Sequence, residues 1–376
     1  MNFYMPVKLK TGADVLFQNS NLITSLGKRC LIVTSGSAAK KSGAFDDVQA
    51  ILENSNIDYV VYDKIQPNPS ISSCVEAGKI GSSFGAEFVI GIGGGSPLDA
   101  SKVIAACISN PDYDAQKLYQ LDWPNKPVPV VLVGTTSGTG SEVTPISVIT
   151  NLNGNKVGMN SEQLYATLAF GDPKYTSSMP LSVTATTGVD ALCHCIESYL
   201  NKTANDISRA IAVQGISLLV PLLLKVSDGI LPDMKEREIL YNASILGGMA
   251  ICITGTVAPH AIGYLLSESY NVPHGFACAS FLPALLEHTE SADPELINTF
   301  YKHTGYNKDY IVAVFKKLRD NRIIEMTKID GKYVYAVNPY VIMRGKKMIV
   351  STLDKFKDTD WELIGKKRRG SKNAKE

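Results

Sequence analysis

The stretch EFVIGIGGGSPLDASK, residues 87–102, decides how the first half of the chain folds. It opens as a continuous apolar run, turns at Gly93, Gly94 and Gly95, and continues in a helical pattern. A strand without polar alternation is buried on both faces, as in a parallel sheet covered by helices on each side. Three further runs share that character: CLIVTSG at 30–36, YVVYDKI at 59–65 and VPVVLVGTTSGTG at 128–140. Helical patterns separate them, in AFDDVQAILENS, SISSCVEAGKIGSSFG and SPLDASKVIAACISN. This alternation predicts an α/β domain built on a parallel sheet.

The glycine turn also has a chemistry. Adjacent glycines let the backbone come close to an anion, and the helix start behind them offers free N–H groups at the positive end of its dipole. Pro97 suits the first helical turn, and Ser96 is expected to cap it. The stretch is neither a GxGxxG fingerprint nor a Walker loop, because Lys102 follows too late and no Gly-Lys-Ser/Thr is present. A second loop, GTTSGTGSEVTP at 134–145, brings Thr135, Thr136 and further hydroxyls to the end of the next strand. Two such loops at consecutive strand ends predict a dinucleotide across the sheet edge.

After AFGDPKYTSSMP at 169–180 the pattern becomes long and helical, with Thr203, Asn205 and Asp206 as candidate N-caps. At 376 residues the chain is too long for one ordinary core. Two domains are expected: 1–180, α/β and nucleotide-binding, and 181–376, mostly helical and catalytic. Near the end, RIIEMTKIDGKYVYAV reads as a hairpin around Asp330-Gly331, and the basic residues 365–376 read as a solvated, disordered tail.

Composition narrows the function. Lys+Arg 37 against Asp+Glu 36 gives a net charge of +1, which argues for neither a nucleic-acid nor a membrane partner. The N-terminus lacks a basic start followed by an apolar run, and no apolar stretch is expected to reach the ~18 residues of a membrane span. Seven cysteines, an odd number, fit reduced thiols better than a disulfide framework. A soluble cytoplasmic enzyme is the expectation.

A metal site is the strongest chemical signal. In TTGVDALCHCIESY, residues 186–199, Asp190 and His194 stand four apart, hence on one helix face about 5–6 Å apart at Cβ. Cys193 and Cys195 are each turned roughly 100° away and read as apolar fillers. VAPHAIGYLLSESYNVPHGFA, residues 257–277, adds His260 and His274. One straight helix would hold these about 21 Å apart. Pro259 can instead open a helix at His260, and Pro273 marks an extended return before His274. One carboxylate and three imidazoles would suit Fe²⁺ or Zn²⁺. Alternatively each histidine sits alone in a core, but three of the five falling in these two stretches favours a shared site. His288 and His303 have no such context.

Taken in order, GGGSPLDASK, GTTSGTGSEVT, TATTGVDALCHCIESY and PHAIGY…VPHGFA resemble the iron-containing, or group III, alcohol dehydrogenases, from about residue 5 to 305 and weakly through Asn338-Pro339. The resemblance implies a two-domain, dehydroquinate synthase-like fold. It also implies an NAD(P)H-binding N-terminal domain, a helical C-terminal domain holding Fe²⁺ or Zn²⁺ in the cleft between them, and a homodimer or higher homo-oligomer. The implied ligands are Asp190, His194, His260 and His274. The implied cofactor contacts are Gly93, Gly94, Gly95 and Ser96 at the pyrophosphate, Asp99 at the nicotinamide side, then Thr135, Thr136 and Lys156. The reaction implied is hydride transfer between NAD(P)H and a small alcohol or aldehyde.

Three departures stand out. Tyr264 occupies a place where the family often has a further histidine, and a phenol is a poorer proton shuttle at neutral pH. Ser35, Gly36 and Ser37 replace the carboxylate that NAD-preferring members tend to carry after the first strand, and Lys40 and Lys41 follow. That combination predicts NADP(H) preference, with NAD(H) possible. The C-terminal hairpin stands where helices are expected. Two rivals share the fold: a sugar-phosphate lyase or cyclase of the dehydroquinate-synthase kind, and a non-catalytic structural relative. The first needs a Lys/Arg cluster that 180–290 lacks, and the intact ligand quartet argues against the second.

Overall fold

The computed structural model describes residues 3–270 and 272–320, with two short strands at Thr327–Ile329 and Lys332–Val334. The 365–376 tail, the Asp330-Gly331 turn and Asn338-Pro339 lie outside the described residues.

The strands are β1 (Lys8–Thr11), β2 (Arg29–Thr34), β3 (Asp58–Tyr62), β4 (Phe88–Gly93), β5 (Val130–Gly134), β6 (Ile146–Thr150), β7 (Lys156–Asn160) and β8 (Leu168–Gly171). The two short strands near the end are β9 and β10, which pair antiparallel as a hairpin pattern requires. Helices α1 (Val15–Gln18) and α2 (Ser20–Thr24) follow β1; α3 (Ala38–Lys41) and α4 (Ala44–Asn54) follow β2. Helix α5 (Ile71–Phe84) follows β3, and α6 (Gly95–Ser109) and α7 (Ala115–Leu118) follow β4. Six strands form one sheet in the order β1-β8-β5-β4-β2-β3, every pairing parallel. Alternate residues feed opposite cores, Leu31 and Val33 on one side and Cys30 and Ile32 on the other. This is why those runs carry no polar alternation.

Four strands were not legible beforehand. β1 and β8 complete the sheet edge, and β6 and β7 form a separate antiparallel pair. From Leu181 onward the described chain is helical up to Asp320: α8 (Leu181–Leu200), α9 (Asp206–Ser227), α10 (Met234–Thr254), α11 (Ala258–Tyr270), α12 (His274–Ala279), α13 (Leu282–Ala292), α14 (Pro294–Thr304) and α15 (Lys308–Asp320). Asn205 caps α9 and Asp233 caps α10, each in a reciprocal capping box.

Two expectations are corrected. Ser96 does not cap α6: the helix begins at Gly95 with Gly94 in the cap position, so Ser96 already lies in the first turn. And α9, with mean hydropathy 1.8 over an 18-residue window, is long and apolar enough to span a bilayer. Half of that window is buried, with Leu219, Val220 and Leu223 in the helical core, so its apolarity serves packing against neighbouring helices.

Candidate metal centre and nucleotide cleft

The cleft lies between the C-terminal ends of β4 and β5 and the helices α8, α10, α11 and α12, and encloses about 250 Å³. One side of it is the glycine turn after β4. Gly93 has φ 149°, a conformation closed to other residues, and a side chain at Gly95 would run into Thr139. The two glycine-rich loops therefore touch, and Gly95, Ser96 and Asp99 line the cleft. Thr135 and Thr136 follow β5, with the Thr136 side chain against Gly94. Ser35, Gly36 and Ser37 lie at the end of β2, outside the lining of this cleft.

Asp99 is less free than a cofactor contact would suggest. Its Oδ1 accepts from Ser141 Oγ at 2.5 Å and its Oδ2 from the Val148 N–H at 2.9 Å. Lys102, which sequence reading dismissed as too late for a phosphate lysine, is fully buried beneath it. Its ammonium donates to Ser141 Oγ (2.8 Å), the Ile146 carbonyl (2.7 Å) and the Thr144 carbonyl (3.1 Å), and stands 3.6 Å from Asp99. It joins α6 to the second loop.

On the opposite wall Asp190 and His194 project from α8, His260 from α11 and His274 from the start of α12. Pro273, extended at φ −52° and ψ 132°, precedes the new helix, and the return brings the His260 and His274 rings to 5.4 Å between centroids. The residue after His274 must be glycine for this: a side chain at Gly275 would strike the Thr186 carbonyl and the backbone of Asp190. Asp190 Oδ1 lies 3.4 Å from His260 Nε2 and 3.8 Å from His274 Nε2. Oδ1 and Nε2 of that first pair are both buried with no hydrogen-bond partner. Buried polar atoms left so cost about 1–3 kcal/mol each, and a cation between them removes the cost. The donor set fits a divalent ion.

His194 stands beside this group, its ring stacked on His260 at 4.5 Å and its Nδ1 buried without a partner. Burial pushes His194 down to about 3, against the pull of Asp190. Burial likewise takes His274 to about 4. Both imidazoles are thus neutral and able to offer a lone pair. Burial would raise Asp190, but the three imidazoles hold its carboxyl well below the usual range.

Two residues that sequence reading passed over belong here. Glu197, fully buried, accepts from His260 Nδ1 at 2.5 Å and from the Val257 N–H at 2.8 Å. A carboxylate only accepts, so His260 carries its proton on Nδ1 and turns Nε2 toward Asp190. Glu197 lies seven residues after Asp190, two helical turns on the same face, and that spacing was the available signal. Cys278 lies four after His274, and with Asp190, His260 and His274 forms a group whose donor atoms all lie within 4.8 Å of one another. Cys193 and Cys195 are buried in the helical core. Tyr264 presses flat on His274, centroids 5.3 Å apart, with the Lys156 ammonium 5.3 Å from the centre of its ring.

Comparison with known sequences settles the family. The profile described as iron-containing alcohol dehydrogenase matches residues 6–173, and that of the Fe-containing alcohol dehydrogenase family, C-terminal, matches 184–322. The chain belongs to the iron-containing alcohol dehydrogenase family. It is 32% identical over 307 residues to the 1,3-propanediol dehydrogenase of Citrobacter freundii, covering 79% of each chain. To the sulfoacetaldehyde reductase of Bilophila wadsworthia it is 33% identical over 296 residues, covering 78% of this chain and 76% of that one. The crystal structure of an iron-containing alcohol dehydrogenase from Thermotoga maritima superposes with a TM-score of 0.79 at 34% identity, over 88% and 89% of the two chains. As an iron-containing alcohol dehydrogenase the chain is an oxidoreductase acting on alcohols and aldehydes, and the lyase and non-catalytic readings fall away.

Family membership makes the orienting role of Glu197 testable. Glu197→Gln keeps the volume but loses the obligate acceptor. Metal affinity is expected to fall on the order of 10–100-fold, the usual cost of losing such a partner. Titration of the metal-free protein checks this, and unchanged affinity would remove Glu197 from the role.

Proposed function

We propose that the chain reduces a small aldehyde to its alcohol, and runs the reverse oxidation, with NADPH preferred over NADH. The ion is Fe²⁺, with Zn²⁺ the alternative, held by Asp190, His194, His260 and His274. The observation that carries this reading is the convergence, in one cleft, of the Gly95–Asp99 turn and the unpartnered donor atoms of Asp190 and His260. When bound, the ion supplies Lewis-acid polarisation of the carbonyl oxygen.

The chain's own residues do the rest. The start of α6 and the neighbouring glycines receive the pyrophosphate, and the hydroxyls of Thr135 and Thr136 offer further hydrogen bonds. Lys156, its ammonium disfavoured by burial, lies between the nucleotide side and Tyr264. Burial raises the Tyr264 phenol above its ordinary range, so it keeps its proton and serves as a hydrogen-bond donor. A nicotinamide cofactor bound there would supply the hydride for the carbonyl carbon, and the proton for the product oxygen would come from solvent.

The cofactor preference rests on Ser35, Gly36 and Ser37, none of which carries a charge to repel a 2′-phosphate. Lys41 is exposed in the last turn of α3, while the Lys40 ammonium lies 5.2 Å over the Phe45 ring. All seven cysteines are free thiols, which supports a cytoplasmic setting. A homodimer or higher homo-oligomer is part of the same reading, by likeness to the family alone.

Oxidation of NADPH and NADH against a panel of small aldehydes tests the proposal. The expected result is turnover with a higher kcat/KM for NADPH, and a shift toward NADH on the order of tenfold in Ser35→Asp. No oxidation with any aldehyde would refute the activity. A higher kcat/KM with NADH would refute the preference alone.

A further inference from the structure

We propose that Tyr241 of α10 is a positioning residue for the dinucleotide: its hydrogen bond to Glu142 fixes the second glycine-rich loop against the helix that also backs the metal ligands. This rests on the dinucleotide reading above and adds to it a residue outside the cleft. Glu142 and Tyr241 are 3% and 1% exposed, and the phenol donates to Glu142 Oε1 at 2.7 Å. Neither lines the cleft, whereas Thr139, Ser141 and Thr144, on either side of Glu142, all do. Glu142 is thus the outward anchor of a loop whose other side chains face the cleft. Its chain neighbour Ser141 donates to Asp99, so a shift at Glu142 reaches Asp99 through one residue.

Both halves of the chain build the place of the phenol. A side chain at Gly134, the end of β5, would strike the Tyr241 hydroxyl and Glu142 Oε1, and one at Gly171, the end of β8, would strike the Tyr241 ring. One turn before Tyr241, the buried Arg237 donates to the Thr176 carbonyl at 2.5 Å, a second tie from α10 to the α/β domain. About two turns further along the same helix, Gly247 packs on the Ala191 carbonyl and the His194 side chain of α8, and Ile251 lines the cleft. Helix α10 therefore touches the second loop at one point and the metal-ligand helix at another. The Tyr241–Glu142 bond sets how the two stand to each other. A buried acceptor that loses its donor costs free energy, and the loop that carries it relieves the cost by moving.

Tyr241→Phe removes the hydroxyl and keeps the ring. Calorimetric titration of the Zn²⁺-loaded protein with NADPH and with NADH reads the consequence. The expected result is a Kd for the better-bound dinucleotide that rises on the order of tenfold in the variant, with Zn²⁺ affinity unchanged. Glu142→Gln keeps an oxygen for the phenol to donate to and is expected to show a clearly smaller rise. A purely structural role would lower Tm and leave the dinucleotide Kd of the folded variant in place, and that result overturns the proposal. So does an equal loss of dinucleotide and metal affinity, which means general loosening. A rise in Glu142→Gln as large as in Tyr241→Phe assigns the effect to the carboxylate charge and overturns it as well. If the natural chain binds neither dinucleotide, the dinucleotide reading falls together with this one; if it binds and Tyr241→Phe binds equally, only this one falls.

Discussion

Removing the ion, or truncating its ligand in His260→Ala, is expected to lower aldehyde reduction by about a thousandfold or more. Lewis-acid stabilisation contributes several kcal/mol to a developing oxyanion, and each ~1.4 kcal/mol is a factor of ten in rate. His260 is the sensitive position because it is 1% exposed, is oriented by Glu197 on one nitrogen and faces Asp190 with the other. Alanine there removes a donor and leaves Glu197 buried without its partner. Steady-state rates after dialysis against a chelator check the first arm. Added Fe²⁺ or Zn²⁺ should restore the natural chain and not the variant, whose fold circular dichroism verifies. Full turnover in His260→Ala would end the metal mechanism.

Lys102→Met is expected to destabilise the fold by about 3–5 kcal/mol, the usual cost of breaking a buried charge pair from one side. Methionine fills similar volume, so the loss is electrostatic. Ser141, Thr144 and Ile146 lose their donor and Asp99 its counter-ion. Burial already raises the Asp99 carboxyl, and Lys102 is the largest influence opposing that rise. Without it the folded-state value climbs further above the unfolded one. A raised carboxyl is harmless below the unfolded value and costs stability as pH rises, so the deficit should be smaller near pH 4 than near pH 7, roughly. Urea midpoints at both pH values measure this. Lys102→Met/Asp99→Asn should recover part of the loss, since the uncompensated charge is gone. Equal stability of Lys102→Met and the natural chain would show that the ammonium contributes nothing net.

The parts of this molecule that could be read from the chain share one property: their signal is local. The runs at 30–36, 59–65, 87–96 and 128–140 became β2, β3, β4 and β5 because a strand buried on both faces is apolar at every position, whatever lies beside it. The glycines at 93–95 were legible for the same reason, since the need for a tight turn is written at the turn. β1 was not. KLKT carries one apolar residue in four and is a strand only because β8 offers it a parallel partner, in the register Lys8 to Leu168. β6 and β7 were missed likewise.

In the candidate site, Asp190, His194, His260 and His274 were found from spacing and family likeness. The structure gathers Asp190, His260 and His274 around one point, with His194 stacked alongside. Glu197 and Cys278 obey the same helical spacing and were passed over, and the reason is physical. Any helix offers many pairs four or seven apart, and which of them faces a cleft depends on the rotation of that helix against its neighbours. Lys102 makes the point most sharply: its position in the chain is that of an ordinary helical lysine, and only the return of residues 141–146 over α6 takes it out of water. By itself the sequence determined the strand–turn–helix alternation, the glycine turn after β4 and the first pair of candidate ligands, because each is set within a few residues. The tertiary structure alone decided which donor atoms meet, which tautomer His260 holds and which charges are buried, because those depend on the approach of segments up to a hundred residues apart.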